Sequence, residues 1–459
     1  MAEAWELERE MRIKAIPLDR RVHASSWFDL SILVQANDMM LKMFWESKVP
    51  GSGAVEHAYM EMMQAQENKG YDLSKAIPFY SEGMRLLKND DIVGLRALTI
   101  SLLEAVFNAP KIKDHPYHKY SHPEKWDEVK NEMGNVDHEN KIESISDLED
   151  KIYSGWLGQL AGASFGTAIE GYTGENIAKV YGDVTTYITD PETMNDDVVY
   201  ELILLDVFSK MGRKISSREI GLEWVKQLSF GWSAEWIALQ NLRNGYLPPE
   251  SGSHRNPFSD WIGAQMRGMI CGMLAPGWPL EAARLAHIDG VVSHSANGVY
   301  GEIFAAVLTS LAFIEDDLKQ IILSATEYIP KGSEYKKNLD YVLKTIQHVD
   351  DPEDAWQLFD DFFKKYNWIH AYPNMASDVL ALWYGEGDMT RTFSLLAKAG
   401  MDVDCNGGLV GNVLGVINGV PAKWAEPIGD LLETYLPGKE RLSIKQLSKL
   451  TADLSRRTN

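Results

Sequence analysis

Asp402 and Asp404 stand two residues apart in the stretch AGMDVDCNGGLVGNVLGVING, residues 399–419. In an extended segment both carboxylates leave on one face and aim at one spot. Like charges held that close call for a positive partner. A hard divalent cation with oxygen ligands supplies one. An Asp-rich turn ahead of a buried helix has the same spacing, and these residues alone do not choose between the two. Asp402, Asp404, Asn406 and Gly407 also fit the opening of a calcium loop. That loop needs a glutamate at its twelfth position, and here the position is Val413.

A second acidic group, Asn195-Asp196-Asp197, precedes the apolar run VVYELILLDVF. Asn and Asp at a helix start are explained by capping and the helix dipole alone. They can also turn several oxygens toward one ion, because the chain there is not yet helical. Joined with Asp402 and Asp404, they would give four carboxylates and an amide, a set suited to one or two Mg²⁺-like ions. Glu170 closes the run GWLGQLAGASFGTAIE; by itself it reads as an ordinary loop glutamate.

Two glycine stripes must position these groups. Gly155, Gly158, Gly162 and Gly166 share one helical face, as do Gly407, Gly411, Gly415 and Gly419. Matching stripes predict that helices over 155–167 and 406–419 pack face to face. Elsewhere helical periodicity dominates, and no period-two alternation is sustained. The fold class expected is all-α. Residues 1–147 read as a helical N-terminal extension and linker, 148–439 as the main body, and 440–459 as a charged surface tail. In the linker, 109–147, the histidines His115, His118 and His122 are interrupted by Pro116 and Pro123. That pattern predicts a solvated, pH-sensitive loop more readily than a zinc site. His294, in VSHSANG with Asn297, falls in a polar turn able to line a pocket.

Composition excludes several classes. At 45% hydrophobic residues the 459-residue chain is globular. Its net charge of −21 disfavours a nucleic-acid duplex as partner. The two cysteines, Cys271 and Cys405, make no disulfide framework. A charged start and the lack of a long apolar run predict a soluble cytoplasmic protein with no membrane partner. Nothing in the sequence fixes an oligomeric state.

From about Gly155 to Gly419 the order of motifs resembles the ADP-ribosylglycohydrolase family, which includes the dinitrogenase-reductase-activating glycohydrolases. The shared motifs are GQLAGASFGTAIE, Asn195-Asp196-Asp197-Val198, GAQMRG, Ser293-His294 and Gly400-Met401-Asp402-Val403-Asp404-Cys405. The wording looks most like a large bacterial branch. The resemblance implies an all-α catalytic domain in which two Mg²⁺ ions, sometimes Mn²⁺, bind a ribose diol and a water while the bond at the anomeric carbon is hydrolysed. It implies Asn195, Asp196, Asp197, Asp402 and Asp404 as metal ligands and Glu170 as the catalytic glutamate. It further implies substrate contacts at Ser259, Gly263, His294 and Asn297. The substrate would be a small molecule or an ADP-ribosylated group. Departures from the family pattern are Asn195 and Cys405 in place of threonines, Ala163 in place of an aspartate, and Ile262-Gly263 in place of Asn-Gly. A binding protein for an ADP-ribose-like ligand and a two-metal phosphohydrolase are the competing readings.

Overall fold

A computed structural model describes residues 3–17, 19, 21–22 and 30–457. The two glycine runs form the helices Leu148–Gly166 and Val403–Asn418. They pack antiparallel with their backbones in contact. A Cβ on Gly158 would strike the carbonyl oxygen of Gly411, and one on Gly162 that of Gly407; the reciprocal clashes occur from the other helix. Only glycine fits there, despite its helix penalty of about 0.5–1 kcal/mol per residue. Two stripe positions differ from the rest. Gly155 is looser, its nearest neighbour being Val416 Cγ2 at 3.0 Å from an added Cβ, and Gly419 ends its helix at φ +74°.

The antiparallel pairing decides where the chemistry sits. Gly166, at the end of the first helix, abuts Asp404 at the start of the second. The loop after Gly166 is then stitched to the turn before Asp402: Gly171 N–H donates to the Met401 carbonyl at 2.9 Å, and Thr173 bridges Gly400. Gly400 and Met401 both take positive φ, +75° and +71°, to make this turn. For Met401 that is a strained conformation held by its surroundings. Asp402 and Asp404 are therefore not in an extended segment. Asp402 caps the helix, and Asp404 lies in its first turn.

Around this pair the chain is all-α, with two small two-stranded antiparallel pairs: Ser47–Lys48 with Val55–Glu56, and Leu432–Glu433 with Arg441–Leu442. The helix Asn297–Ala312 is buried along its whole length, as a helix apolar on every face must be. Asp197–Met211 is nearly as deep. Pro373 lies in the first turn of the helix Ala371–Gly385, where a missing N–H is harmless.

Two outer segments depart from expectation. The C-terminal tail forms the helix Ile444–Ser455, which buries Ile444, Leu447, Thr451 and Leu454. Thr451 Oγ1 accepts from Trp156 Nε1 on the first glycine helix at 3.2 Å. The tail is amphipathic, and its apolar face is core. The 109–147 segment is not a solvated loop, since it buries Val129, Met133 and Ile142. Its histidines diverge: His118 Nε2 meets Gly70 O, His122 Nε2 meets Tyr117 O, and His115 Nδ1 accepts from Tyr117 N–H.

The N-terminal helices pack on the body. Trp45, ending Ser31–Trp45, is fully buried and donates to Thr99 Oγ1 at 2.9 Å. Lys69, after Ala58–Asn68, reaches into the body to donate to Ser259 Oγ at 2.6 Å. Among the described residues no helix is long and apolar enough to cross a membrane.

Gly411→Leu should destabilise the protein by about 3 kcal/mol or more, because a side chain there must force two backbones apart. Gly408→Ala, whose Cβ would meet nothing closer than 3.7 Å, should be neutral or stabilising by up to about 1 kcal/mol. Urea unfolding of both variants checks the contrast; equal effects would refute the backbone contact.

Candidate active site

Glu170, Asp196, Asp197, Asp402, Asp404 and Cys405 line one cavity of about 590 Å³. Ligand atoms of Asp402, Asp404 and Cys405 all lie within 4.8 Å of one another. Asp197 joins them through Cys405, whose thiol donates to Asp197 Oδ1 at 3.3 Å. Glu170 is brought in by the helix pairing, and its N–H is fixed on the Gly166 carbonyl at 3.0 Å. Asn195 sits at the same place but is already engaged. Its side-chain oxygen accepts the Asp197 N–H at 2.8 Å, and its amide nitrogen donates to Asp404 Oδ2 at 3.1 Å. It therefore holds the aspartates in place, with its oxygen turned to the helix start.

The electrostatics are unbalanced. Burial pushes the carboxyls of Glu170, Asp197 and Asp402 well above the ordinary range, and the neighbouring Asp404 pushes each further. Asp196 is pushed up to about 7 by the same two causes. A pair of unit charges about 4 Å apart repels by about 4 kcal/mol at an effective dielectric of 20. Asp197 Oδ2, Asp402 Oδ1 and Asp404 Oδ1 are buried without any hydrogen-bond partner. Buried carboxylate oxygens without donors fit a hard cation. The set present therefore suits Mg²⁺ or Mn²⁺. Cys405 does not add to it: burial and Asp197 push its thiol well up, so it stays protonated.

The expected substrate contacts divide. Gly263 lines the cavity. Ser259, His294 and Asn297 do not; they are buried behind the wall. Ser259 accepts from Lys69, and Asn297 Oδ1 accepts from the Tyr335 N–H at 3.2 Å. His294 Nδ1 lies 2.7 Å from Ser293 Oγ, and burial pushes its pKa well down, so it is neutral. A polar turn in sequence has become packing, because the helix it starts is wholly buried.

Several cavity residues were not singled out by motif. Glu235, in the first turn of Ser233–Arg243, lines the cavity while Arg267 Nη1 donates to it at 2.8 Å from behind. Gly263 makes room for this pair, since a Cβ there would strike the Glu235 carboxylate. Phe230, Trp232, Trp368 and Tyr435 are the cavity's aromatic lining. Val49, Pro50, Gly51 and Glu56 come from the N-terminal hairpin, which sits directly on the Glu170 loop. Tyr172 Oη donates to the Ser52 carbonyl at 3.2 Å, and a Cβ on Gly51 would strike Thr167. Both small β pairs thus border the cavity, and a lone Glu in a loop gives no sequence signal for this.

A family model described as ADP-ribosylglycohydrolase matches residues 144–458. A solved structure described as "ADP-ribosylglycohydrolase-related protein complex" aligns with 68% of this chain and 98% of its own, at 17% identity and a TM-score of 0.45. No curated protein sequence matches significantly.

The raised carboxyls fix a pH dependence. A carboxyl whose folded pKa is raised gives stability that is complete below its ordinary pKa and is lost as pH rises through the folded value. For Asp196 that window runs from 3.8 to about 7. Metal-free protein should therefore lose stability across it. A divalent cation binds the ionised forms, so stabilisation by Mg²⁺ should grow over the same range, to about 3 kcal/mol at a hundredfold excess over Kd. Thermal melts with and without Mg²⁺ at about pH 5 and about pH 8 test this. An equal Mg²⁺ effect at both would sink it.

Proposed function

The chain belongs to the ADP-ribosylglycohydrolase family, and on that premise we propose that it hydrolyses a ribosyl bond, N-glycosidic or ADP-ribosyl, at a dinuclear Mg²⁺ or Mn²⁺ centre. Asp196, Asp197, Asp402 and Asp404 would hold the metal, with Asn195 bracing Asp404. The observation that carries this reading is the set of buried carboxylate oxygens of Asp197, Asp402 and Asp404 that have no donor. When bound, the metal supplies Lewis acidity and neutralises these charges.

The chain's own residues do the rest. Glu170 is the general base: its carboxylate takes the proton of the attacking water, from a loop whose backbone is bonded to the turn before Asp402. The surrounding carboxylates stabilise positive charge developing on the ribose ring as the bond at the anomeric carbon breaks. Cys405 keeps its proton and bonds Asp197, so water and not sulfur is the nucleophile.

Glu170→Gln should lower kcat by about 10²–10⁴-fold with Mg²⁺ binding retained. Asp404→Asn should lose metal binding and turnover together. Cys405→Thr should stay active and bind Mg²⁺ at least as tightly, since a hydroxyl is a harder donor; Cys405→Ser should stay active as well. Calorimetry with Mg²⁺ and product analysis on a panel of ribosylated compounds measure all four. Free ribose or ADP-ribose supports the reading. Orthophosphate would mark a phosphohydrolase, and saturable binding without product a binding protein. If both Cys405 variants were folded, metal-loaded and inactive, the water mechanism would be wrong.

A further inference from the structure

Beyond Glu170 and the four aspartates, the cavity carries three more carboxylates, Glu56, Glu192 and Glu235. Among the described residues no lysine, arginine or histidine lines it. The cations nearby are turned away. Arg267 is only 1% exposed, and its guanidinium donates to Glu235, Asp289, Ser293 Oγ and the Gly263 carbonyl. Lys69 is committed to Ser259. Backbone N–H groups at a helix start often receive phosphate, but the helix starts on this wall already carry carboxylates: Asp197, Asp402, Asp404 and Glu235. Two divalent ions would balance the four aspartates, and among the described residues no side-chain cation lines the cavity to meet a diphosphate.

Three large aromatic side chains, Phe230, Trp232 and Trp368, line the same cavity. Phe230 and Trp232 stand edge to face with centroids 4.7 Å apart. Trp368 packs against the loop that holds Glu170, within 3.4 Å of where a Cβ on Gly171 would lie. All three rings are partly exposed in the cavity. Ring faces joined to carboxylates attract flat cations.

Resting on the glycohydrolase reading above, we propose that the substrate is a riboside without phosphate, whose leaving group is a flat cationic nitrogen heterocycle. The heterocycle would stack among Phe230, Trp232 and Trp368 and face Glu56, since the charge of Glu235 is met by Arg267. In the reaction, water oxygen bonds the anomeric carbon and the carbon–nitrogen bond breaks. Its electron pair goes to the ring nitrogen, so the heterocycle leaves neutral, and the water proton passes to Glu170. Such a leaving group takes no proton, which suits a wall without histidine.

The test compares the Mg²⁺- and Mn²⁺-loaded full chain on nicotinamide riboside, its 5′-monophosphate, neutral uridine and ADP-ribosylated arginine. We expect kcat/KM for nicotinamide riboside to exceed each of the others by about hundredfold or more. Glu56→Gln should raise KM for the cationic riboside with little change in kcat. Glu56→Lys, with its fold checked by thermal melt, should narrow the preference over the 5′-monophosphate by about tenfold or more. A purely structural role for Glu56 would leave that preference where it was. If the 5′-monophosphate, ADP-ribosylated arginine or uridine is hydrolysed as fast as nicotinamide riboside, this substrate class is overturned and the glycohydrolase reading stands. If no ribosyl bond breaks in any of the four although calorimetry shows Mg²⁺ bound, both fall.

Discussion

The contact between the backbones of Gly158 and Gly411, and of Gly162 and Gly407, is the constraint on which the site depends. Any side chain at these positions would push the two helices apart. Because the helices run antiparallel, the end of one is pinned to the beginning of the other. Glu170 follows the first helix by four residues, and Asp402 caps the second. A glutamate and two aspartates that are more than 200 residues apart in sequence thus meet as a result of helix packing. The loop holding Glu170 gains further rigidity from its backbone bonds to Gly400 and Met401. Such rigidity would suit the general-base role proposed for Glu170, since the reach of such a group is set by fractions of an ångström.

The same geometry stores electrostatic repulsion. Asp197, Asp402 and Asp404 lie at helix starts, where the dipole and unpaired N–H groups offset part of their charge. The offset is incomplete, and the carboxyls rise toward neutrality when no cation is near. Folding energy elsewhere must carry this cost. The buried helix Asn297–Ala312 and the apolar face of the C-terminal helix are where it is gained. The proposed cation would offset this repulsion, so that its binding would couple to folding.

The N-terminal extension belongs to the site as much as to the scaffold. Its hairpin seats Gly51 on Thr167 and places Glu56 in the wall, while Lys69 crosses to Ser259. The matched family region begins at residue 144, so this wall is built from chain outside it. A shared catalytic floor with a separately supplied wall is a physical route by which one chemistry serves different leaving groups.

The sequence by itself determined the all-α class, the two glycine helices and the acidic groups at 195–197 and 402–404, because each is a local pattern of period or spacing. It also marked Gly263 and the Met-Arg segment that holds Arg267. Tertiary structure alone decided the rest. His294 and Asn297 lie in a polar turn and the family resemblance adds Ser259, yet the fold buries all three: Ser259 meets Lys69, His294 Nδ1 meets Ser293 and Asn297 Oδ1 accepts from Tyr335, while His294 Nε2 and Asn297 Nδ2 have no partner. Glu56 and Glu235 belong to none of the sequence motifs, and only the fold makes them cavity wall. The 440–459 segment looked like a surface tail because its charges are visible in sequence, whereas the partner that covers its apolar face is Trp156, nearly 300 residues away. Local pattern records what a segment can bury or ligate; which neighbour it meets depends on contacts between distant parts of the chain, and no local spacing encodes them.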